Sequence, residues 1–276
     1  MSISGGVDTA FDRGEKVGCY AMQIFTKNSN QWRAAPLKEE AVDRYHRRQA
    51  ETGITPVVAH ASYLLNLATP DDGLWLKSIE ALLVEMERCD VLAIPYLVIH
   101  PGSHMGSGED AGVARIAQSL NIAHNRLPGA RVKITLETTA GQGTNLGYRF
   151  EQLAAMIAAT EAEDRLAVCY DTCHTLAAGY DFRPPEGYAE VFTQFDEIIG
   201  LERLAVFHFN DSKRDLGSRR DRHAHIGKGA LGLEGFRHIL NDSRFEDTPA
   251  LLETPKSSDM HEDVKNLARL RALIDA

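Results

Sequence analysis

The chain of 276 residues has an ordinary globular composition, with 43% hydrophobic and 25% charged residues. Its 30 Lys and Arg against 39 Asp and Glu give a formal net charge of −9, which excludes a bulk positive field for nucleic acid but allows a local basic patch. No apolar run approaches the roughly 18 residues of a membrane span. The four cysteines do not suggest a disulfide framework. We therefore expect a reducing, cytoplasmic compartment and no membrane association.

Seven short apolar runs predict β-strands that are buried on both faces. Amphipathic patterns predict helices at 7–17, 37–52 and 262–274, and others between the remaining strands. This alternation predicts a parallel sheet with helices outside it. In chain order the runs are Met22–Phe25, Pro56–Ala59, Tyr96–Ile99, Lys133–Leu136, Leu166–Tyr170, Leu204–Phe207 and Ala250–Leu252.

The spacing of these strands favours one closed barrel over two domains. From His60 to Glu253 there are five steps of about 39 residues, which is comparable to a generous βα unit. If Glu253 follows strand 8 of a barrel, Phe25 stands at the end of strand 2. Strand 1 would then fall near the N-terminus, where almost no chain remains. We expect a single domain over 1–276 of class α/β, a (β/α)8 TIM barrel whose first strand is truncated at the N-terminus.

A potential metal ligand closes six of the predicted strands. The C-terminal ends of barrel strands form one rim, where active sites lie, so these residues should converge in space. For any one of them, a buried histidine held by a carbonyl group or a helix-capping aspartate is the simpler interpretation. Six potential ligands at the same position relative to their strands favour a metal site. They are His60, His100, Glu137, Asp171, His208 and Glu253.

Three further ligand types lie beyond the strand ends. His174 is one helical turn past Asp171, and Asp221 stands two residues before His223. Zinc takes three or four protein ligands, so nine ligands would serve about three ions if one carboxylate bridges. The mixture of imidazole and carboxylate suits zinc better than manganese or iron. Clustered metals are typical of phosphoryl chemistry. Other histidines, such as His124, are expected to be solvated.

Four stretches of the chain are distinctive: HASYLLNLA at 60–68, LETTAGQG at 136–143, DTCHTLAAGYD at 171–181, and HFNDSK at 208–213 with DRH at 221–223. With these stretches the chain resembles the endonuclease IV family, the zinc-dependent apurinic/apyrimidinic (AP) endonucleases, and the likeness spans essentially the whole length. One departure is Asn30, which stands where many family members carry arginine. A second is the start of the chain, because family members usually begin with a short strand before the turn at Gly5 and Gly6.

This resemblance implies a centre of three zinc ions per chain. The carboxylate of Glu137 would bridge two of the ions. Together with Asp171 and Glu253 it would supply the carboxylates on which catalysis depends. The implied ligand sets are His60, His100 and Glu137 for the first ion, Glu137, Asp171, His208 and Glu253 for the second, and His174, Asp221 and His223 for the third.

The resemblance also implies a DNA-repair reaction. The phosphodiester 5′ to an abasic site in double-stranded DNA would be hydrolysed to a 3′-hydroxyl and a 5′-deoxyribose phosphate, and blocked 3′ ends could be trimmed. Bent DNA would present the extruded nucleotide to the rim. Tyr63 and Leu64 look like the family's residues that enter the base stack. The candidates for phosphate contacts are Lys27, Arg33, Lys213, Arg219, Arg220, Arg222 and Lys228. Ordinary loop packing and a solvated charged loop are the alternatives. We expect a monomer.

Two other functions remain open from the sequence. A divalent-metal sugar-phosphate isomerase or epimerase on the same barrel would use Glu137, Asp171, His208 and Glu253, but it would leave the other five ligand types unexplained. A non-catalytic zinc-binding module would favour cysteine ligands. The glycines at 141–147 have the spacing G-x-G-x-x-x-G, which differs from the dinucleotide-binding G-x-G-x-x-G. About three zinc ions per chain would support the nuclease, and one manganese or magnesium ion would contradict it.

Overall fold

A computed structural model of the chain describes residues 1–275, which divide into two compact units. The first unit holds Met1–Glu137 and Ala155–Ala167, and the second holds Thr138–Ala154 and the chain from Val168 onward. Within the described part, no helix is both long and apolar enough to cross a membrane.

Four parallel strands form the sheet of the first unit, and each is hydrogen-bonded to the next in chain order. Helices connect them, because parallel neighbours need a long crossover. The first helix ends at Gly18, whose φ of 74° is in the left-handed region that a glycine adopts readily. The elements are α1 (Thr9–Val17), β1 (Met22–Ile24), α2 (Glu39–Thr52), β2 (Val57–His60), α3 (Asp72–Val91), β3 (Tyr96–Ile99), α4 (Glu109–Arg126) and β4 (Lys133–Glu137).

Apolar side chains of strands and helices make the core of this unit. All four residues of β2 are buried, as expected for a strand covered on both faces. The apolar face of α3 is buried as well, including Ile79, Leu82 and Met86. Burying one such side chain contributes about 1.5–3 kcal/mol, so this packing fixes the positions at which the strands end.

The second unit contains a parallel sheet and a short antiparallel hairpin. Asp171 pairs with His208 and His208 pairs with Leu251, so the ends of three strands lie level with one another. In the hairpin Asp211 pairs with Ala224. The remaining elements of the chain are α5 (Phe150–Ala158), β5 (Leu166–Asp171), α6 (Thr172–Ala178), α7 (Pro185–Ile198), β6 (Leu204–His208), β7 (Asp211–Ser212), β8 (His223–Ala224), α8 (Glu234–Leu240), β9 (Ala250–Leu251) and α9 (His261–Arg271). Short 3-10 helices lie at Glu163–Arg165 in the first unit and at Leu201–Arg203 and Ser243–Phe245 in the second.

The seven predicted strands and the helices at 7–17, 37–52 and 262–274 are confirmed, with ends displaced by no more than a few residues. The hairpin of β7 and β8 was not predicted, because two-residue strands carry no apolar run. The solvated environment predicted for His124 is wrong, since this side chain is buried in the first unit. In front of α1, the amine of Met1 donates to the carbonyl group of Gln23 in β1. The truncated first strand and the single domain stay predictions.

Candidate metal centre

The first cluster of metal-ligand types forms where three neighbouring strands end. His60 and Glu137 are the last residues of β2 and β4, and His100 directly follows β3. The Nε2 atoms of His60 and His100 lie 3.2 Å and 3.3 Å from Oε2 of Glu137. The side chains of His60 and Glu137 are buried, whereas that of His100 is 27% exposed. Parallel pairing therefore brings together three residues that are far apart in the sequence.

The tautomer of His60 indicates what this cluster can bind. Its Nδ1 lies 2.7 Å from the carbonyl oxygen of Ala61, which can only accept a hydrogen bond. In the neutral ring that binds metal, Nδ1 therefore carries the proton and Nε2 presents its lone pair to the cluster. Nε2 and the carboxylate of Glu137, which are 3.2 Å apart, can then share one cation. This donor set fits a divalent metal ion.

A second cluster in the other unit repeats the pattern. The Nε2 atoms of His174 and His223 are 3.4 Å apart and lie 3.2 Å and 3.4 Å from Oδ1 of Asp221. Nδ1 of His174 is 2.9 Å from the carbonyl oxygen of Thr138, and Nδ1 of His223 is 3.3 Å from that of Glu253. Both rings therefore direct Nε2 at the cluster and Nδ1 at the backbone. Such carbonyl partners are typical of metal-binding histidines.

Asp171 links this cluster to two further ligand types of the same unit. Its Oδ2 is 3.7 Å from Nε2 of His223 and 3.9 Å from Nδ1 of His208. His208 Nδ1 in turn lies 3.3 Å from Oε2 of Glu253. Asp171 and His208 are fully buried, and the side chain of Glu253 is 15% exposed. The carboxylate of Asp171 is therefore within reach of ions held on either side of it.

The spacing of these atoms suits zinc. A tetrahedral ion with bonds of about 2.0–2.1 Å separates its ligand atoms by about 3.3–3.4 Å. The contacts of 3.2 to 3.4 Å in both units match that separation. Cys169 and Cys173 are buried, and burial raises the pKa of Cys173 to about 12. Imidazole and carboxylate groups are therefore the principal candidate ligands.

Asn210 supports two of the candidate ligands and was not among the residues predicted from the sequence. Its side chain is buried, and Nδ2 donates to Oδ2 of Asp171 at 2.6 Å. Oδ1 accepts a hydrogen bond from the backbone N–H of Glu253 at 2.9 Å. The amide thus orients one ligand carboxylate and fixes the backbone of another ligand. The only signal in the sequence was its place within HFNDSK, two residues after His208.

The residues predicted to contact DNA lie on exposed parts of the two units. Tyr63 is 58% exposed, with its ring centroid 5.0 Å from that of His60. Leu64, the next residue, is half-buried. Lys213 and Arg222 are exposed beside the hairpin, where the N–H of Lys213 donates to the carbonyl group of Arg222 at 2.8 Å. Tyr63 therefore lies close to the first cluster, and the two basic residues flank the segment that carries Asp221.

A buried ion pair supports the loop of Tyr63. Nζ of Lys27 lies 3.1 Å from Oε1 of Glu85, and these side chains are 3% and 0% exposed. The same carboxylate oxygen accepts the N–H of Ser62 at 3.0 Å, while Lys27 also donates to the carbonyl group of Gln31 at 2.7 Å. Burial raises the pKa of Glu85, and Lys27 opposes that shift. The predicted phosphate contact by Lys27 is wrong, because its ammonium group is buried against Glu85.

Comparisons with known proteins identify the fold and the relatives of the chain. The family described as the xylose isomerase-like TIM barrel matches residues 11–274, which confirms the predicted fold class. The probable endonuclease 4 of Chloroflexus aurantiacus is 55% identical over 274 residues, covering 99% of this chain and 96% of the relative.

Two solved structures separate family from fold. Endonuclease IV from Thermus thermophilus is 38% identical, with a TM-score of 0.87 over 99% of this chain and 96% of that chain. A D-tagatose 3-epimerase-like protein is 18% identical, with a TM-score of 0.70 over 92% and 89%, and this likeness shows the fold alone. Full-length identity of this order and the family match lead to one conclusion: the chain belongs to the endonuclease IV family of TIM-barrel proteins.

Proposed function

We propose that this protein is a DNA-repair AP endonuclease that hydrolyses the phosphodiester 5′ to abasic sites in double-stranded DNA. The products are a 3′-hydroxyl and a 5′-deoxyribose phosphate, and trimming of blocked 3′ ends uses the same site. The observation that carries this proposal is the convergence of Nε2 and carboxylate oxygens at the strand ends of a chain 55% identical to a probable endonuclease 4. Its cysteine usage supports a reducing, cytoplasmic location, and we expect it to act as a monomer.

The proposed cofactor is zinc, at three ions per chain. Bound zinc supplies a nucleophile at neutral pH and neutralises charge on the phosphate. The spacing of the ligand atoms and the histidine tautomers support zinc within each unit, and the family resemblance supports the assignment of Glu137 as a bridging ligand. The proposed ligands are His60, His100, Glu137, Asp171, His174, His208, Asp221, His223 and Glu253.

The chain itself contributes orientation and charge. Glu137, Asp171, Asp221 and Glu253 would provide the anionic ligands, whose charge offsets the repulsion between several cations. Backbone carbonyl groups fix the tautomers of His60 and His174, so both rings present Nε2 lone pairs without reorganising during the reaction. No side chain needs to act as the general base, because the metal ions lower the pKa of water.

The substrate contacts are also proposals. Tyr63 and Leu64 enter the base stack beside the extruded nucleotide, supported by the exposure of Tyr63 near His60. Lys213 and Arg222 contact phosphate groups of the DNA, supported by their exposure beside the Asp221 segment. Because the formal net charge is −9, affinity for DNA depends on this local patch and on the bound cations.

An incision assay tests the proposed function. A labelled duplex with one abasic-site analogue is incubated with zinc-replete protein, with and without a chelator. We expect a single cut 5′ to the lesion that the chelator abolishes. Glu137→Gln should remove the activity, because it replaces an anionic ligand by a neutral amide of nearly the same size. The same preparation should not convert ketose or pentose phosphates, and efficient epimerisation without incision would favour the sugar-phosphate enzyme instead.

A further inference from the structure

The segment between β7 and β8 carries Asp221 and leads into His223, yet most of it is exposed. Two backbone hydrogen bonds tie it to the end of α6. The N–H of Gly217 donates to the carbonyl group of Leu176 at 3.0 Å, and the N–H of Arg219 donates to that of Ala177 at 2.9 Å. A ligand that lies on such an exposed segment requires further support to keep its position.

Arg219 supplies that support through the loop that follows β4. Its guanidinium carbon lies 3.8 Å from the centroid of the Tyr148 ring, and its Nε donates to the carbonyl group of Gly141 at 3.0 Å. Next to this stack, the N–H of Asp221 donates to Oε1 of Gln142 at 3.3 Å. Three contacts of different kinds therefore join the ligand segment to a single loop.

Two backbone features show that the stack is tightly constrained. Gly141 has a φ of 69°, and a Cβ atom there would lie 2.7 Å from Cγ of Tyr148 and 2.9 Å from Nε of Arg219. Arg219 itself has a φ of 53°, which is unfavourable for a residue with a side chain. Such strain persists only where surrounding contacts determine the conformation, and it is concentrated at functional sites.

We propose that the stack of Arg219 on Tyr148 over Gly141 is a positioning device that holds Asp221 and His223 in place for one metal ion. The inference rests on the metal centre of the proposed function. Arg219 is exposed and positive, so a direct contact with DNA phosphate is the competing role. The two roles differ in what they do to metal binding without DNA, because a phosphate contact has no effect on the zinc content of the free protein.

The test measures zinc per chain in the DNA-free protein after dialysis against a chelator of graded strength. Arg219→Ala is compared with Arg220→Ala, which removes the same charge from the neighbouring exposed residue. Gly141→Ala is the second variant, since it displaces the stack and keeps every charge. Circular dichroism and thermal unfolding establish that each variant is folded.

We expect the wild-type protein and Arg220→Ala to retain the same zinc content. Arg219→Ala and Gly141→Ala should each release one ion per chain at 10- to 100-fold lower chelator strength, which is the usual effect of losing support behind a ligand. Wild-type zinc retention in folded Arg219→Ala would overturn the inference, even if its DNA affinity fell. A wild-type protein that binds no zinc would instead refute the proposed metal centre, so the two failures are distinguishable.

Discussion

The ion pair of Lys27 and Glu85 leads to a prediction of large magnitude. Lys27→Met keeps the length of the side chain but removes the ammonium group that lies 3.1 Å from the carboxylate. Glu85 is fully buried, so water does not replace the lost charge. Removing one member of a buried pair costs about 3–5 kcal/mol. We expect the free energy of unfolding at pH 8 to fall by about this amount.

The deficit should depend on pH in a defined direction. Burial already raises the pKa of Glu85, and loss of Lys27 removes a contribution that lowers it. In the variant the folded state therefore takes up a proton at a pH where the unfolded state has released it. Because the folded state then binds more protons, lowering the pH from 8 towards 5 stabilises the variant and shrinks the deficit.

Urea unfolding at both pH values, with zinc content held constant, measures these quantities. The matched control is the double variant Lys27→Met with Glu85→Gln, whose neutral amide still accepts the N–H of Ser62. It should be more stable than Lys27→Met alone, with a coupling energy of about 0.5–3 kcal/mol. A cost below about 1 kcal/mol for Lys27→Met, or a deficit that grows as the pH falls, would refute the reasoning.

Three further predictions concern single buried side chains. Asn210→Ala removes the hydrogen bond to Asp171 and should weaken zinc retention about 10- to 100-fold in chelator competition, whereas the exposed Asn30→Ala should leave it unchanged. Burial lowers the pKa of His124 to about 4, so below pH 6.5 the folded state binds fewer protons than the unfolded state and the protein loses stability as the pH falls. His124→Leu should remove up to about 3 kcal/mol of this loss, measured by thermal unfolding between pH 6.5 and 4. With a pKa raised to about 12, Cys173 should resist iodoacetamide at pH 8 until the protein unfolds, and rapid labelling of the folded protein would contradict its burial.

The strands were predictable because they are apolar runs of the right length. In β2, β4, β5 and β6 the metal-ligand type proved to be the last residue of the strand itself. A polar residue at the end of an apolar run marks the point where the strand leaves the sheet and its side chain can join the site. The hairpin of β7 and β8 could not be predicted from an apolar run, because its two short strands are held together by backbone pairing between residues separated by ten positions.

The candidate metal ligands could be selected from the sequence because metal chemistry restricts ligands to a few side chains. The residues that support these candidate ligands could not be selected from the sequence. Asn210, Glu85 and Arg219 act through hydrogen bonds and stacking with residues distant in sequence, and none has a spacing that distinguishes it from an ordinary polar residue. The environment of Lys27 was also not predictable from the sequence, because a lysine in a loop ordinarily contacts solvent or phosphate. Its partner, the buried carboxylate of Glu85, is known only from the structure.

The proposed function requires three zinc ions at this centre for cleavage of DNA 5′ to abasic sites. The most direct test is reconstitution of metal-free protein with increasing zinc while incision of an abasic duplex is followed. We predict that the incision rate reaches its maximum near three equivalents per chain and that the new 3′ end can be extended by a polymerase. Full activity at one equivalent, equal activity with magnesium alone, or no incision by folded, zinc-replete protein would contradict the account.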